Sequence, residues 1–320
     1  MNMTDSTLMV RVAARRDEAD GIAGFEFVDV DGRDLPPFEA GAHIDVYVPG
    51  GPVRQYSLCN APGERHRYQI AVLRDADSRG GSQRMHDAVN EGDAIRIGVP
   101  RNHFPLARDH AKPLLLAGGI GVTPILCMAE HLAAMGAAFD MHYCARSKSR
   151  AAFVERIAAS PWAHNVQYHF DDEHGMLDLN ALLTDAEADR HLYVCGPQGF
   201  MNAVLDTARS LGWSDDRLHY EYFAAAQPAG DGASFDVRLA RSGRVVSIAA
   251  DCTVTQALAA AGVEVPVSCE QGICGTCVTR VLEGEPDHRD LFLSPQEQAR
   301  NDQFLPCCSR AKSRVLVLDL

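Results

Sequence analysis

Three cysteines stand within nine residues in "SCEQGICGTC", at Cys269, Cys274 and Cys277, and a fourth, Cys307, follows after twenty-nine intervening residues. The spacing C-x4-C-x2-C with a distant fourth cysteine is the plant-type arrangement in which four thiolates hold the two irons of a [2Fe-2S] cluster. The glycines between them suit that chemistry, because Gly272 and Gly275 permit a positive-φ path that turns backbone N–H groups toward cluster sulfurs. A structural zinc site also takes four cysteines, but it ordinarily uses two C-x2-C knuckles, and one such pair is present here. The fourth ligand is specified less narrowly, since Cys307 and Cys308 are neighbours. On an extended segment adjacent side chains face opposite ways, so one of the two binds, and Cys307 is favoured. Cys59, Cys127, Cys144 and Cys252 sit in apolar patterns and read as small buried hydrophobes.

A second group of residues could meet a flavin. "RQYSL" offers a cation, an aromatic ring and a hydroxyl in Arg54, Tyr56 and Ser57. Read as alternate positions of a strand, all three would turn to one face, giving a phosphate-binding guanidinium, a stacking ring and a hydrogen-bond partner. In "SRGGSQRMHDAV" Gly80, Gly81 and Ser82 precede an amphipathic stretch, and the N–H groups at a helix N-terminus bind phosphate. A surface charge and an ordinary glycine turn explain either motif equally well when it is taken alone. A third group suits a dinucleotide. "AGGIGVTPI" ends an apolar strand and opens a helix, with Gly118, Gly119 and Gly121 free to approach a pyrophosphate, Thr123 able to cap the helix and Pro124 suited to its first turn. It departs from G-x-G-x-x-G, so the usual dinucleotide fingerprint is not claimed. The corner "CGPQGF" ends another apolar strand with Cys195, either a filler or a contact to a nicotinamide.

The elements that must position these groups fall into three styles. Between Val10 and Val99, "FEFVDV", "HIDVYV", "YQIAVL" and "AIRIGV" alternate and are separated by turn residues, which predicts an antiparallel β-barrel. From Lys112 the pattern becomes strand, helix, strand, helix, the signature of a parallel α/β sheet. "AAAQPAGDGAS" reads as a linker, and beyond it a hairpin, a helix and two further strands surround the cysteines. With 320 residues, 46% of them hydrophobic, the chain is long enough for two or three packed domains. A net charge of −13 argues against a general nucleic-acid binder, and neither a signal peptide nor a membrane span is indicated, so a cytoplasmic protein is expected.

On these motifs the chain resembles the phthalate dioxygenase reductase family, which includes the reductase components of vanillate and related aryl-ether demethylases. The resemblance runs through "RQYSLCN", "RGGS", "AGGIGVTP", "CGP", "CEQGICGTC" and "PCCSRAKSRVLVLDL". It implies an FMN-binding β-barrel over residues 1–108, an NAD-binding α/β domain of ferredoxin-reductase type over 109–226, and a linker with a β-grasp plant-type ferredoxin domain over 227–320. It also implies that Arg54, Tyr56, Ser57, Ala71, Val72, Gly80, Gly81, Ser82 and Phe223 serve the flavin. NADH would then meet Gly118, Gly119, Gly121, Thr123, Pro124, Arg146, Cys195, Gly196 and Pro197, with Arg146 at the adenosine ribose. The implied activity carries a hydride from NADH to FMN and single electrons through the cluster to a separate Rieske-type oxygenase of aromatic compound catabolism. A monomer is the implied state, and no side chain need act as acid or base. Two rivals stand beside this reading: a reductase for a soluble ferredoxin or a haem monooxygenase, and a redox-sensing iron-sulfur flavoprotein.

Overall fold

The computed structural model describes residues 7–75, 80–107, 111–184, 189–223, 233–267, 270, 272–273 and 275–320, without the side chains of Ala111 and His174. Cys269, Cys274 and most of the expected linker lie outside these residues, as do the expected domain boundaries at 108/109 and 226/227. The chain divides into two compact units, Met1–Glu221 and Tyr222–Leu320.

The first unit opens with β1 (Thr7–Ala19), β2 (Ile22–Asp29), β3 (Ala42–Tyr47), β4 (Val53–Ser57), β5 (Tyr68–Leu73), helix α1 (Gly81–Ala88), β6 (Ala94–Gly98) and β7 (Arg101–Asn102). The strands form one sheet in the order β4-β3-β6-β1-β2-β5, with β7 on β3 and every pairing antiparallel. Alternation drives it: Val10, Val12, Phe25, Phe27, Ile44, Val46, Ile95 and Ile97 are all buried, and each contributes roughly 1.5–3 kcal/mol on leaving water. The sheet closes between its ends through the segment after β4. Cys59 N–H donates to the Gln69 carbonyl at 2.9 Å, Gln69 N–H donates to Asn60 Oδ1 at 2.9 Å, and Asn60 Nδ2 donates to the Arg67 carbonyl at 3.1 Å. A buried asparagine thus stands in for strand backbone and ties the segment after β4 to β5.

The same unit continues with β8 (Ala111–Gly118), α2 (Val122–Ala134), β9 (Asp140–Ala145), α3 (Val154–Ala158), β10 (Val166–Phe170), α4 (Asp171–His174), α5 (Leu179–Thr184), β11 (Arg190–Cys195), α6 (Gln198–Ser210) and β12 (Leu218–Glu221). These strands form a wholly parallel sheet in the order β10-β9-β8-β11-β12. The chain winds outward from β8 in one direction and then returns to β11 on its other side. The topological switch point therefore lies between the carboxyl ends of β8 and β11, where such sheets bind ligands. Helix α2 is buried almost all round, and the Met128 methyl reaches to within 3.1 Å of where a side chain on Gly41 would stand.

The second unit contains β13 (Phe235–Leu239), β14 (Val245–Ile248), α7 (Val254–Ala260), β15 (Thr279–Glu283), β16 (Pro286–Asp287), α8 (Pro295–Gln298), β17 (Gln303–Phe304), β18 (Arg310–Ala311) and β19 (Val315–Leu318). Its sheet runs β14-β13-β19-β15-β17, with β13 and β19 parallel and the other neighbours antiparallel, and β16 pairs with β18. A capping box of Thr253 and Gln256 starts α7. Val254 and Leu258 of that helix pack on Phe235, Val237, Ile248 and Leu316. This is the β-grasp arrangement. A separate apolar cluster of Cys277, Leu293, Leu305, Cys307 and Cys308 lies beside it.

Candidate functional site

The flavin residues assemble from the strand upward. Gly80 enters α1 in the left-handed region at φ 91, and no side chain caps the first turn. The Arg54 stem lies against the next residue, because a Cβ on Gly81 would come within 2.8 Å of Arg54 Cγ and Nε. Arg54 Nη1 donates to the Val53 carbonyl at 2.8 Å. A guanidinium is thereby held beside helix N-terminal N–H groups, a donor set that fits a phosphate dianion. Ser82 closes the approach loop, its Oγ accepting from Asp75 N–H at 3.2 Å. Tyr56 pairs with Ile44, and burial pushes its phenol upward, so it stays protonated. Ala71 and Val72 are buried on β5 opposite Gly24 and Ala23, and as neighbours they face opposite sides of the sheet.

Ser57 departs from the expected single face. It stands three positions after Arg54, an odd step, so it pairs with His43 and turns away from Arg54 and Tyr56. Its Oγ donates instead to Glu221 Oε2 at 3.2 Å. Glu221 ends β12 and pairs with the fully buried Cys195 at the end of β11. Sequence reasoning missed Glu221. The available signal was a carboxylate at the carboxyl end of an apolar parallel strand, where ligands of such sheets lie. Burial pushes the Glu221 carboxyl up to about 8, against the lowering effect of the Ser57 hydroxyl. Burial and then the Glu221 charge hold the Cys195 thiol well above its ordinary range, so it is neutral.

The sign of the Glu221 shift sets a stability slope. A carboxyl whose folded value is raised contributes fully below about pH 4.5 and loses that contribution as pH climbs through about 8. Over that window Glu221→Gln is expected to gain on the wild type by roughly 2–4 kcal/mol. Paired thermal unfolding from pH 5.5 to 8.5 reads the difference, and parallel curves for the two proteins would count against a buried acid.

The dinucleotide corner is built by backbone meeting backbone. A Cβ on Gly121 would collide with the Cys195 carbonyl and stand 2.6 Å from Gly196 N, and one on Gly196 would stand 3.0 Å from the Gly118 Cα. The two corners at the switch point therefore touch through glycines. Gly119, at φ 53, faces open space, so its glycine leaves the crevice side of the turn clear. Thr123 does not cap the helix as expected. The N-cap position is Gly121, and Thr123 sits in the first turn with Oγ1 donating back to the Ile120 carbonyl at 3.1 Å. Pro124 occupies that turn, where its missing N–H costs nothing. Pro197 is the N-cap of α6. Arg146 is exposed just past β9, on the crevice side of the sheet, and Phe223 is half-buried two residues past β12.

The thiols converge in the second unit. Cys307 and Cys308 lie in a turn over Pro306–Cys308, not on an extended segment, so the argument from opposite faces does not hold there. The turn closes with the N–H groups of Cys308 and Ser309 both donating to the Leu305 carbonyl, at 3.2 and 2.9 Å. The Cys277 and Cys308 thiols and the Gly272 N–H beside the Cys307 sulfur hold its thiol well below the ordinary range, while Cys307 and burial push Cys308 upward. Cys307 thus sits in thiolate-stabilising surroundings with Cys277 beside it in an apolar shell, which fits an iron-sulfur centre. Of the remaining cysteines, Cys59 and Cys127 are fully buried and Cys144 and Cys252 half-buried.

Comparison with known proteins agrees with this geometry. Residues 237–312 match the family described as 2Fe-2S iron-sulfur cluster binding domain. Residues 102–218 match the N-terminal domain of dimethylamine monooxygenase subunit DmmA-like proteins. The chain is 57% identical over 314 residues to vanillate O-demethylase oxidoreductase of a Pseudomonas species, covering 97% of this chain and 99% of that protein. Phthalate dioxygenase reductase, a modular structure for electron transfer from pyridine nucleotides to [2Fe-2S], superposes with a TM-score of 0.81 at 41% identity, covering 99% of this chain and 98% of the other. An intact type IV self-sufficient cytochrome P450 monooxygenase superposes at 0.82 and 40% identity, covering 98% of this chain but 41% of the longer protein.

Proposed function

Since this chain belongs to the phthalate dioxygenase reductase family, we propose that it is the reductase component of an oxygenase system, drawing electrons from NADH and carrying FMN and a [2Fe-2S] cluster. The observation that carries this reading is the Ser57–Glu221 hydrogen bond with Cys195 beside it, which ties the flavin strand of the barrel to the switch point of the parallel sheet. When bound, a flavin takes two electrons from a reduced nicotinamide as a hydride and releases them singly, as an iron-sulfur cluster requires. The residues of the chain supply position and electrostatics. Arg54 and the N-terminus of α1 would hold the flavin phosphate, with Tyr56 and the Ala71–Val72 stretch of β5 beside its ring. Gly118 to Pro124 and Cys195 to Pro197 line the nicotinamide crevice, and Arg146 meets the ribose. Cys269, Cys274, Cys277 and Cys307 hold the irons.

The partner is a Rieske-type oxygenase acting on a methoxylated aromatic acid, a reading supported by the 57% identity to a vanillate O-demethylase oxidoreductase. The chain acts as a cytoplasmic monomer that docks transiently. Anaerobic NADH should bleach flavin and cluster together, and turnover of vanillate with a matching oxygenase should depend on this chain. A haem monooxygenase acceptor is the second reading, favoured by the likeness to 41% of the self-sufficient P450 monooxygenase chain. Support of P450 turnover, with none from the oxygenase, would overturn the first in favour of the second.

Arg54→Ala is expected to weaken FMN retention by roughly 10- to 100-fold, matching the ~1.5–3 kcal/mol of a charged hydrogen bond. Release of flavin fluorescence on dilution measures this, and Arg54→Lys should recover part of the loss.

A further inference from the structure

Asp290 has a wholly buried side chain, and among the described residues no lysine or arginine is bonded to it. A carboxylate so placed is costly unless its oxygens are met by donors, and here they are. Its Oδ2 accepts from Leu293 N–H at 2.9 Å, and its Oδ1 accepts from the Ser309 hydroxyl at 3.2 Å, with His288 Nδ1 3.4 Å away. Ser309 directly follows the Pro306–Cys308 turn, and its hydroxyl accepts in turn from Arg289 N–H at 3.1 Å. The same segment is fastened to the loop before Cys277. Leu291 N–H donates to the Gly272 carbonyl at 3.0 Å, and a Cβ on Gly272 would stand 3.2 Å from Asp290 Cα. The entry to the turn is held separately, by the pairing of Phe304 with Thr279. Asp290 joins its exit to the loop around Gly272.

We propose that Asp290 is a positioning residue for the iron-sulfur site: its carboxylate clamps the Pro306–Cys308 turn to the loop around Gly272 and so fixes the Cys307 sulfur without touching iron. The inference rests on Cys307 being the fourth ligand. Twenty-nine residues separate Cys277 from Cys307, so chain connectivity alone does not keep their sulfurs together, and fixed contacts must meet the entropy of closing that loop. Outer partners that orient metal ligands are worth about 10–100-fold in metal affinity. The bond to Leu293 N–H adds a second effect. Leu293 packs with Cys277, Leu305 and Cys307, so the carboxylate that holds the turn also holds part of the apolar cover that keeps water from the thiols.

The test challenges the full chain, loaded with both cofactors, with an iron chelator under anaerobic conditions and follows the decay of the visible cluster absorption. Asp290→Ala should speed iron loss by roughly 10- to 100-fold. Ser309→Ala, which removes only the bond to the turn, should speed it by a smaller factor, and Ser309→Thr, which keeps the hydroxyl, should stay near the wild type. Leu258→Ala opens a cavity in the core of the same unit and controls for lost stability. Compared at an equal interval below its own Tm, it should lose iron no faster than the wild type. Iron loss unchanged in both Asp290→Ala and Ser309→Ala, or sped as much by Leu258→Ala, would overturn the proposal. If Asp290→Ala does not fold, unchanged iron loss in Ser309→Ala overturns it alone. A Cys307→Ala protein that keeps its cluster would instead overturn the ligand assignment beneath it.

Discussion

Exchange of Cys307 for alanine is expected to remove the visible iron-sulfur absorption and the EPR signal, and to cut NADH-driven cytochrome c reduction by more than about 100-fold. That exceeds the 10–100-fold typical when only an outer-shell partner of a metal is lost. Ferricyanide reduction should survive, because the flavin cradle of Arg54 and Gly81 belongs to the first compact unit and Cys307 to the second. The reason lies in the turn at Pro306–Cys308. There the Cys307 sulfur gathers the Cys277 thiol and the Gly272 N–H, while the Cys308 sulfur fills the space left under Gly272. A Cys307→Ala protein that kept its full EPR signal would refute the assignment.

The other large effect is expected at Gly121. Alanine there would drive a Cβ into the Cys195 carbonyl and to within 2.6 Å of Gly196 N, and both obstacles are backbone at the end of a central strand. Relief requires separating the two corners of the switch point. A cost above ~4 kcal/mol follows from overpacking at so constrained a place, or a fall of roughly 10 °C in Tm for a unit of this size. If the protein still folds, displacing the crevice by ~1 Å should slow NADH-driven flavin bleaching by about 100-fold. Gly119→Ala is the control. Its Cβ would meet open space, so only the ~1–2 kcal/mol strain of its left-handed backbone applies. Equal behaviour of the two variants in thermal unfolding and stopped-flow bleaching would show that corner packing is not what Gly121 serves.

Much of the site could be read along the chain because its chemistry is local. The interval from Cys269 to Cys277 specifies a ligand loop, since a cluster is only a few ångströms across and neighbouring residues must span it. Glycine corners at the ends of apolar strands were equally legible, because a parallel sheet leaves its ligand crevice at those ends. Three readings failed, each where a residue's direction depends on an exact position or a local turn. Ser57 is expected on the face of Arg54, but the odd step between them along the strand reverses it. Thr123 looks like a cap along the chain, but the short turn over Gly119–Gly121 sets the helix start ahead of it. Adjacent Cys307 and Cys308 suggest an extended segment, whereas the Leu305 carbonyl draws them into a turn.

Spacing and alternation alone were enough to specify a cysteine cluster, an antiparallel barrel and a parallel nucleotide sheet, because those signals depend on periods of a few residues along one chain. The meeting of Ser57 with Glu221, 164 positions apart, follows no such period. Nor does the contact of Gly121 with Cys195, or of Gly272 with Cys308. These pairs come from separate segments whose side chains and backbones converge only once the sheets close and the loops settle. Burial then shifts the Glu221 carboxyl, and the missing side chain of Gly272 leaves the space that the Cys308 sulfur fills.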